Sequence, residues 1–312
     1  MSLIDLRHLR TMAALRDAGS LVEAADRVFL TQSALSHQIK DLEERLGCSL
    51  FLRKTRPVRF TAVGRRLVTL ADEVLPLIHS AERDLERLGG GESGRLFMAI
   101  ECHSCFEWLL PAINCYREAW PDVELDISAG FNFAPLPALA RGDLDLVITS
   151  DPVEGMGLSY CPLFRYEAQL AMALNHPLNE RDWVEAIDLA EEVLITYPVD
   201  RGRLDVFTRF LEPAGVEPQR VRTADLTAMI IQLVATGRGL SCLPNWALYE
   251  YLQKNYVSAR SLGQEGIWPV LYAAVRTDER TAAYLEAFVE TAIATSFDVL
   301  HGILPAQESM PQ

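Results

Sequence analysis

The sequence predicts an α/β protein with a winged helix-turn-helix at its N-terminus, a long linker helix after it, and an α/β body behind. Three observations predict that order. Residues 20–64 read as helix, turn, helix and basic hairpin; residues 61–88 carry an unbroken apolar repeat; and from residue 95 short apolar runs alternate with helix-length segments.

The first element starts at Ser20, which forms a capping box with Glu23 ahead of Val22, Ala24, Ala25 and Val28. Thr31 caps the next helix, where Leu35, Ile39, Leu42 and Leu46 recur at helical spacing until Gly47 ends it. That stripe is core. On the other side Ser33, Ser36, His37 and Lys40 fall at i, i+3, i+4 and i+7, with Gln32 in the first turn. Such a row of donors and acceptors can reach base edges and phosphates. A small helical bundle with a solvated polar face gives the same pattern, and the segment beyond Gly47 separates the two readings. After Leu50, Phe51 and Leu52 come Arg53, Lys54, Thr55, Arg56, Pro57, Val58 and Arg59, a strand and turn carrying four cations. They suit a wing that lies along a DNA backbone or in a minor groove. Gln32, Ser33, Ser36 and His37 are therefore candidates for bases or nearby phosphates, Lys40, Arg53, Lys54 and Arg59 for the backbone, and Arg56 for the minor groove.

Thr61 starts the linker helix, whose apolar positions Leu67, Ala71, Val74, Ile78, Ala81, Leu85 and Leu88 step by four and three. This is a heptad seam. A helix packed on its own domain also shows a stripe, but three heptads with acidic and basic flanks favour an intermolecular partner. A dimer would present two reading heads to a palindromic site with half-sites spaced by whole turns of DNA. Gly89, Gly90, Gly91 and the following Glu-Ser-Gly then interrupt the pattern as a hinge.

Strand candidates in the body fall at 95–101, 123–129, 144–149, 168–174, 193–197, 239–243 and 268–275, separated by helix-length segments at 105–118, 203–212, 225–236 and 280–297. The rhythm indicates α/β with mainly parallel sheets. The boundaries read as 1–64 for the head, 65–90 for linker and hinge, and 91–312 for the body.

The run AAxxxxxTQSALSHQIKDLEERLG followed by LFLRKTRPVRFT resembles the signature of the LysR-type transcriptional regulators over roughly the first sixty-five residues. That family usually has Pro where Ser33 stands and often Arg where His37 stands, so base preference is expected to differ. The resemblance implies a periplasmic-binding-protein-like effector domain of two α/β subdomains joined by crossing strands, with a small-molecule cleft between them. It implies double-stranded DNA and further copies of the chain, as homodimer or homotetramer, as partners, and RNA polymerase as another. Within the family, IECHSC (100–105), LDLVITSD (144–151), ITYPVDRGRLDVF (195–207) and LYAAVR (271–276) resemble the methionine-biosynthesis branch, whose co-effector is homocysteine. An alternative is a different metabolite, or oxidation of Cys102 and Cys105.

Strand C-ends and helix N-termini offer unpaired N–H groups to an anion at such clefts. Cys102, His103, Ser104 and Cys105 stand where the first body strand turns into a helix; Thr149 and Ser150 end LDLVITS; Tyr197 and Arg201 follow LITYP. Phe131, with Phe133, can supply an apolar wall for a thiol chain. A strand-end Thr or Tyr is more often a structural cap than a ligand contact; the family-matched positions raise these. The Cys102–Cys105 pair admits three readings: pocket or packing residues, a redox sensor, or half of a metal site. A zinc site needs two further ligands, and His176 and His301 lie far along the chain. No metal or tightly bound cofactor is expected.

The net charge of −14 at first contradicts a DNA-binding role, but it is unevenly placed. Residues 1–66 hold 12 Lys/Arg against 7 Asp/Glu, or +5, leaving 17 against 36, or −19, for the rest. An acidic body suppresses loose association with DNA and leaves recognition to the head. The 312 residues, 49% hydrophobic, suffice for two or three cores. No secretory signal and no apolar run of roughly 18 residues is evident, so a cytoplasmic protein with reduced thiols is expected. Catalysis is not: G-x-G-x-x-G fails at Gly237-Arg238-Gly239, where Cys242 takes the last position, and phosphate-loop, metalloprotease and serine-hydrolase motifs are lacking.

Overall fold

A computed structural model describes residues 3–52, 58–90, 94–101, 106–128 and 135–306. The chain divides into two compact units, one of residues 1–91 with 141–143 and one of residues 92–140 with 144–312.

The head is built from α1 (Leu6–Ala18), α2 (Leu21–Arg27), α3 (Gln32–Leu46), β1 (Phe51–Leu52), β2 (Arg59–Phe60) and α4 (Ala62–Gly90). Its starts and stops follow the local chemistry. Ser20 Oγ accepts from the Glu23 amide at 3.3 Å, Thr31 Oγ1 from that of Ala34 at 3.2 Å, and Gly47 closes α3 at φ +68°. Leu35, Ile39 and Leu42 of α3 are buried, with Ala24 and Ala25 of α2 and Met12 and Leu15 of α1. Val22 stays exposed. Helix α1, for which the sequence pattern signals no element, supplies much of this core. It is short and its apolar residues follow no single stripe, because α2, α3 and α4 all pack on it.

That helix also revises the linker seam. Leu67 and Ala71 are buried within the head, Ala71 beside Leu9 and Ala13 and Leu67 beside Met12 and Leu50, so the first heptad is spent inside the chain. Farther on, Ala81 and Leu85 are exposed, Leu85 at 68%. The helix also continues through Gly89 and Gly90, where a hinge was expected.

The body begins with β3 (Gly94–Ile100), α5 (Phe106–Ala119), β4 (Val123–Ser128), α6 (Leu136–Ala140), β5 (Leu146–Thr149) and β6 (Leu158–Arg165). The chain then crosses to β7 (Ala168–Met172), β8 (Trp183–Val184), β9 (Val193–Thr196), β10 (Arg220–Thr223), α7 (Thr227–Ala235), β11 (Ser241–Pro244), α8 (Asn245–Gln253) and β12 (Ser258–Leu262). It returns as β13 (Val270–Arg276), α9 (Ala283–Val299) and β14 (Leu304–Pro305). The first lobe holds a six-stranded sheet in the order β14-β6-β13-β5-β3-β4 around Trp108, Tyr116, Phe164 and Phe288. The second holds β11-β7-β12-β8, with the parallel pair β10-β9 bridged to it at Leu194–Leu240. The two crossings are bound to each other: the Tyr166 amide donates to Pro269 O at 3.1 Å and that of Ala168 to Ile267 O at 2.8 Å.

The sheets are mixed rather than mainly parallel. β3 pairs in parallel with β4 and β5, but β13 is antiparallel to β5 and β6, and β7 to β11 and β12. The physical reason is the double crossing, since a chain that leaves a lobe and returns must enter its sheet running the other way. The segment expected as a helix at 203–212 is a π-helical turn over Val206–Leu211. At Gly239, φ is +150° and a Cβ would lie 2.5 Å from Val193 O, so this glycine allows the chain to pass close to β9.

Candidate nucleic-acid interface and ligand cavity

In the head, Gln32, Ser33, Ser36, His37 and Lys40 are all exposed on α3, opposite the buried Leu35–Ile39–Leu42 stripe. The helix is fixed from behind by Gln38, whose Nε2 donates to Arg7 O and Thr11 Oγ1, both at 3.0 Å. Sequence patterning misses Gln38, because a polar residue between exposed His37 and buried Ile39 gives no signal of its own. Two of the expected contacts already have acidic neighbours: His37 Nδ1 lies 3.3 Å from Asp41 Oδ2 and Lys40 Nζ 3.5 Å from Glu44 Oε1. Exposed pairs of this kind are weak, about 0.3–0.5 kcal/mol, and yield readily to a phosphate. Arg59 is exposed on β2 and pairs in register with Leu52 of β1. Arg53, Lys54 and Arg56 lie outside the described residues. Behind the strands, Thr61 binds Leu50 O through its amide at 3.0 Å, and Arg65 Nη1 donates to Phe60 O at 2.9 Å, so the linker helix carries the wing. Phe29, in the turn before α3, is 95% exposed at φ +54°, a conformation unfavourable for an aromatic residue.

In the body, the ends of β3, β5, β9 and β11 and the crossing at Tyr166 and Ala168 surround a cavity of about 130 Å³. Of the candidates named from the sequence, Ser150 and Tyr197 line it. Tyr197 Oη shares a hydrogen with Thr227 Oγ1 at 2.7 Å. Thr149 is fully buried beneath the lining: its hydroxyl donates to Glu101 Oε2 and accepts from the Asp151 amide at 3.0 Å. Arg201 does not reach the cavity. Its guanidinium stands over the Phe207 ring and binds both oxygens of Glu217 at 2.7 Å and Glu212 at 3.0 Å. The short 3₁₀ turn Arg201–Arg203 delivers Arg203 instead. Sequence alone does not distinguish two arginines so close together; four carboxylates sort them, Glu212 and Glu217 on Arg201 and Glu101 and Asp151 on Arg203. Cys102, His103, Ser104, Cys105, Phe131 and Phe133 lie outside the described residues.

The cavity's electrostatics centre on Arg203 of the second lobe, which donates from Nη2 to Glu101 Oε1 at 2.9 Å and from Nε to Asp151, both in the first lobe. Burial pushes the Glu101 carboxyl above its ordinary range, against the opposing pull of Thr149 and Arg203. Burial also raises Asp205, with Arg209 opposing. The Cys242 thiol, buried near Asp205 and Glu167, is raised far above the ordinary thiol range and stays protonated. His176 and His301 are engaged elsewhere, His176 with Glu192 at 3.4 Å and His301 against the Tyr249 ring, tilted 33° with centroids 4.3 Å apart. Among the described residues no helix is long and apolar enough to cross a membrane.

Comparison with known proteins matches each unit separately. Residues 6–65 match the family described as bacterial regulatory helix-turn-helix protein, lysR family, and residues 89–296 match the LysR substrate binding domain. Two curated relatives, each named HTH-type transcriptional regulator MetR, align over nearly the whole chain. That of Haemophilus influenzae is 45% identical over 96% of this chain and 97% of its own. That of Escherichia coli is 47% identical over 93% and 90%. Among solved structures, the regulatory domain of MetR, a LysR family regulator from N. meningitidis, superposes with a TM-score of 0.62 at 40% identity, covering 68% of this chain and 98% of that one.

Proposed function

The chain belongs to the LysR family of DNA-binding transcriptional regulators, and from that premise we propose that it controls methionine-biosynthesis genes in the cytoplasm, with homocysteine as co-effector bound in the body cavity. One observation carries this reading: the identity to named MetR regulators extends at 45–47% through both head and body. The cavity suits a small polar metabolite, since a guanidinium, three carboxylates and a tyrosine hydroxyl converge beside the apolar surface of Leu243 and Val206.

On this reading two heads, paired through the part of the linker seam that α1 leaves exposed, bind an interrupted palindrome. Gln32, Ser33, Ser36 and His37 read base edges, while Lys40 and Arg59 neutralise phosphate. Ligand in the cavity favours one relative arrangement of the lobes, because Arg203 joins them, and the population of that arrangement sets the spacing of the heads. RNA polymerase is the natural partner of an activator placed this way.

The test is titration calorimetry and thermal unfolding of the full chain with homocysteine, methionine, cysteine and S-adenosylmethionine. A ligand at a hundred times its Kd adds about 2.7 kcal/mol to folded-state stability. Selective stabilisation by homocysteine is expected; equal silence from all four refutes the co-effector. The alternative to this reading is thiol oxidation at Cys102 and Cys105. Retention of the full homocysteine response in a Cys102→Ser, Cys105→Ser variant excludes it.

A further inference from the structure

Among the described lining residues the charges do not balance. Glu101, Asp151 and Asp205 face one cation of that set, Arg203. Asp205 has a partner on one side, Arg209 Nε at 2.8 Å, yet its side chain is only 24% exposed and its ionised form is disfavoured by burial. An anionic ligand would worsen this arrangement and an apolar one would leave it unrelieved; a ligand bringing an ammonium group would relieve it. Arg203 has the complementary property. Its planar fork fits one carboxylate bidentately, but here it gives Nη2 to Glu101 and Nε to Asp151, two carboxylates of the opposite lobe. Glu101 has a second anchor in the Thr149 hydroxyl and can surrender Arg203 without losing every partner.

We infer that the cavity is a receptor for an α-amino acid zwitterion, in which the ligand carboxylate takes Arg203 from Glu101, the ammonium faces Asp205, and the side chain lies against Cys242, Leu243 and Tyr166. The inference rests on the reading of this cavity as the co-effector site, and it adds which two groups select the ligand class. Glu101 serves as an internal stand-in for the ligand carboxylate, so binding exchanges an ion pair within the chain for one with the ligand. A ligand that lacks either charged group forfeits one half of the exchange.

The experiment is calorimetric titration of the full chain with L-homocysteine, with 3-aminopropane-1-thiol, which lacks the carboxylate, and with 4-sulfanylbutanoic acid, which lacks the amine; L-methionine and L-cysteine complete the set. A hydrogen bond to a charged group is worth about 1.5–3 kcal/mol, so the unaltered chain should prefer homocysteine to either analogue by roughly 10- to 100-fold. Arg203→Gln should bind homocysteine and 3-aminopropane-1-thiol alike while still rejecting the acid. Asp205→Asn should show the converse. Glu101→Gln, which keeps an acceptor for Thr149 but removes the competing charge, should bind homocysteine more tightly. Unfolding curves of each ligand-free variant establish that it is folded, and Arg203→Lys, which keeps the charge without the fork, replaces Arg203→Gln if that variant is not. Unchanged discrimination in the Arg203 and Asp205 variants overturns the receptor while leaving homocysteine as co-effector. The same variant pattern with another amino acid, and no homocysteine binding, supports the receptor and overturns the methionine-pathway reading. Silence of the unaltered chain towards all three amino acids overturns both.

Discussion

Gly64→Ala is the substitution on which the head's construction can be tested most sharply. Gly64 is buried in the first turn of α4, where a Cβ would overlap the Leu50 carbonyl oxygen and stand 3.0 Å from its carbon and 3.2 Å from Phe60 Cδ1. Leu50 has nowhere to go. Its side chain is buried with Met12, Leu42 and Leu67, its amide donates to Glu43 Oε1 at 2.6 Å, and its carbonyl accepts from the Thr61 amide at 3.0 Å. Replacing glycine in a helix ordinarily gains up to about 1 kcal/mol. Against this, overpacking costs about 1–3 kcal/mol, and the displaced carbonyl forfeits a hydrogen bond of about 1 kcal/mol. The net loss is about 2 kcal/mol, or on the order of 10 °C in the melting of a unit this size. Because the strain falls between the linker helix and β1, the wing should shift and affinity should weaken for all DNA sequences together. Thermal unfolding followed by circular dichroism, with fluorescence anisotropy on specific and scrambled duplexes, reads both effects. A variant that melts at or above the parent with unchanged DNA affinity would refute the account of how the wing is carried.

Three further outcomes are expected. Arg59→Ala should lower affinity for every sequence and reduce the slope of log K against log salt by about one, as loss of one phosphate contact requires; an unchanged slope removes Arg59 from the interface. His8 is buried and its Nδ1 accepts the Asp5 amide at 3.0 Å, which only the unprotonated ring can do; burial, with help from Arg7 and Arg45, lowers its pKa from 6.5. The unfolded chain then binds more protons, so the head's stability should be full above about pH 6.5 and fall as the pH drops towards the depressed value, a dependence that His8→Gln should flatten in unfolding measured from pH 7.5 to 5. Phe29→Asn relieves an aromatic residue from φ +54° at little loss of burial and should raise the head's stability by about 1 kcal/mol; a decrease in denaturant midpoint would show that Phe29 contributes a contact of its own.

The features that the chain encodes on its own are local. Ser20 and Thr31 as caps, Gly47 as a helix stop, and the Leu35–Ile39–Leu42 stripe opposite Ser33, Ser36, His37 and Lys40 all depend on groups within a turn or two of each other, so spacing suffices to find them. Strand ends in the body are legible for the same reason, and Ser150 and Tyr197 line the cavity where the strand-end rule puts them. Long-range packing sets the rest. Burial of Leu67 and Ala71 depends on α1, some sixty residues earlier, and no periodicity in the linker distinguishes that partner from a second copy of the chain. The antiparallel runs of β13 and β7 follow from two crossings between lobes, which alternation of strand and helix does not encode. Above all, the cavity's cation is Arg203 and not Arg201, because Glu217 and Glu212 hold one guanidinium outside while Glu101 and Asp151 hold the other within. Coulomb attraction and burial act across space between residues 52 and 102 positions apart, and only the folded chain brings those carboxylates within reach.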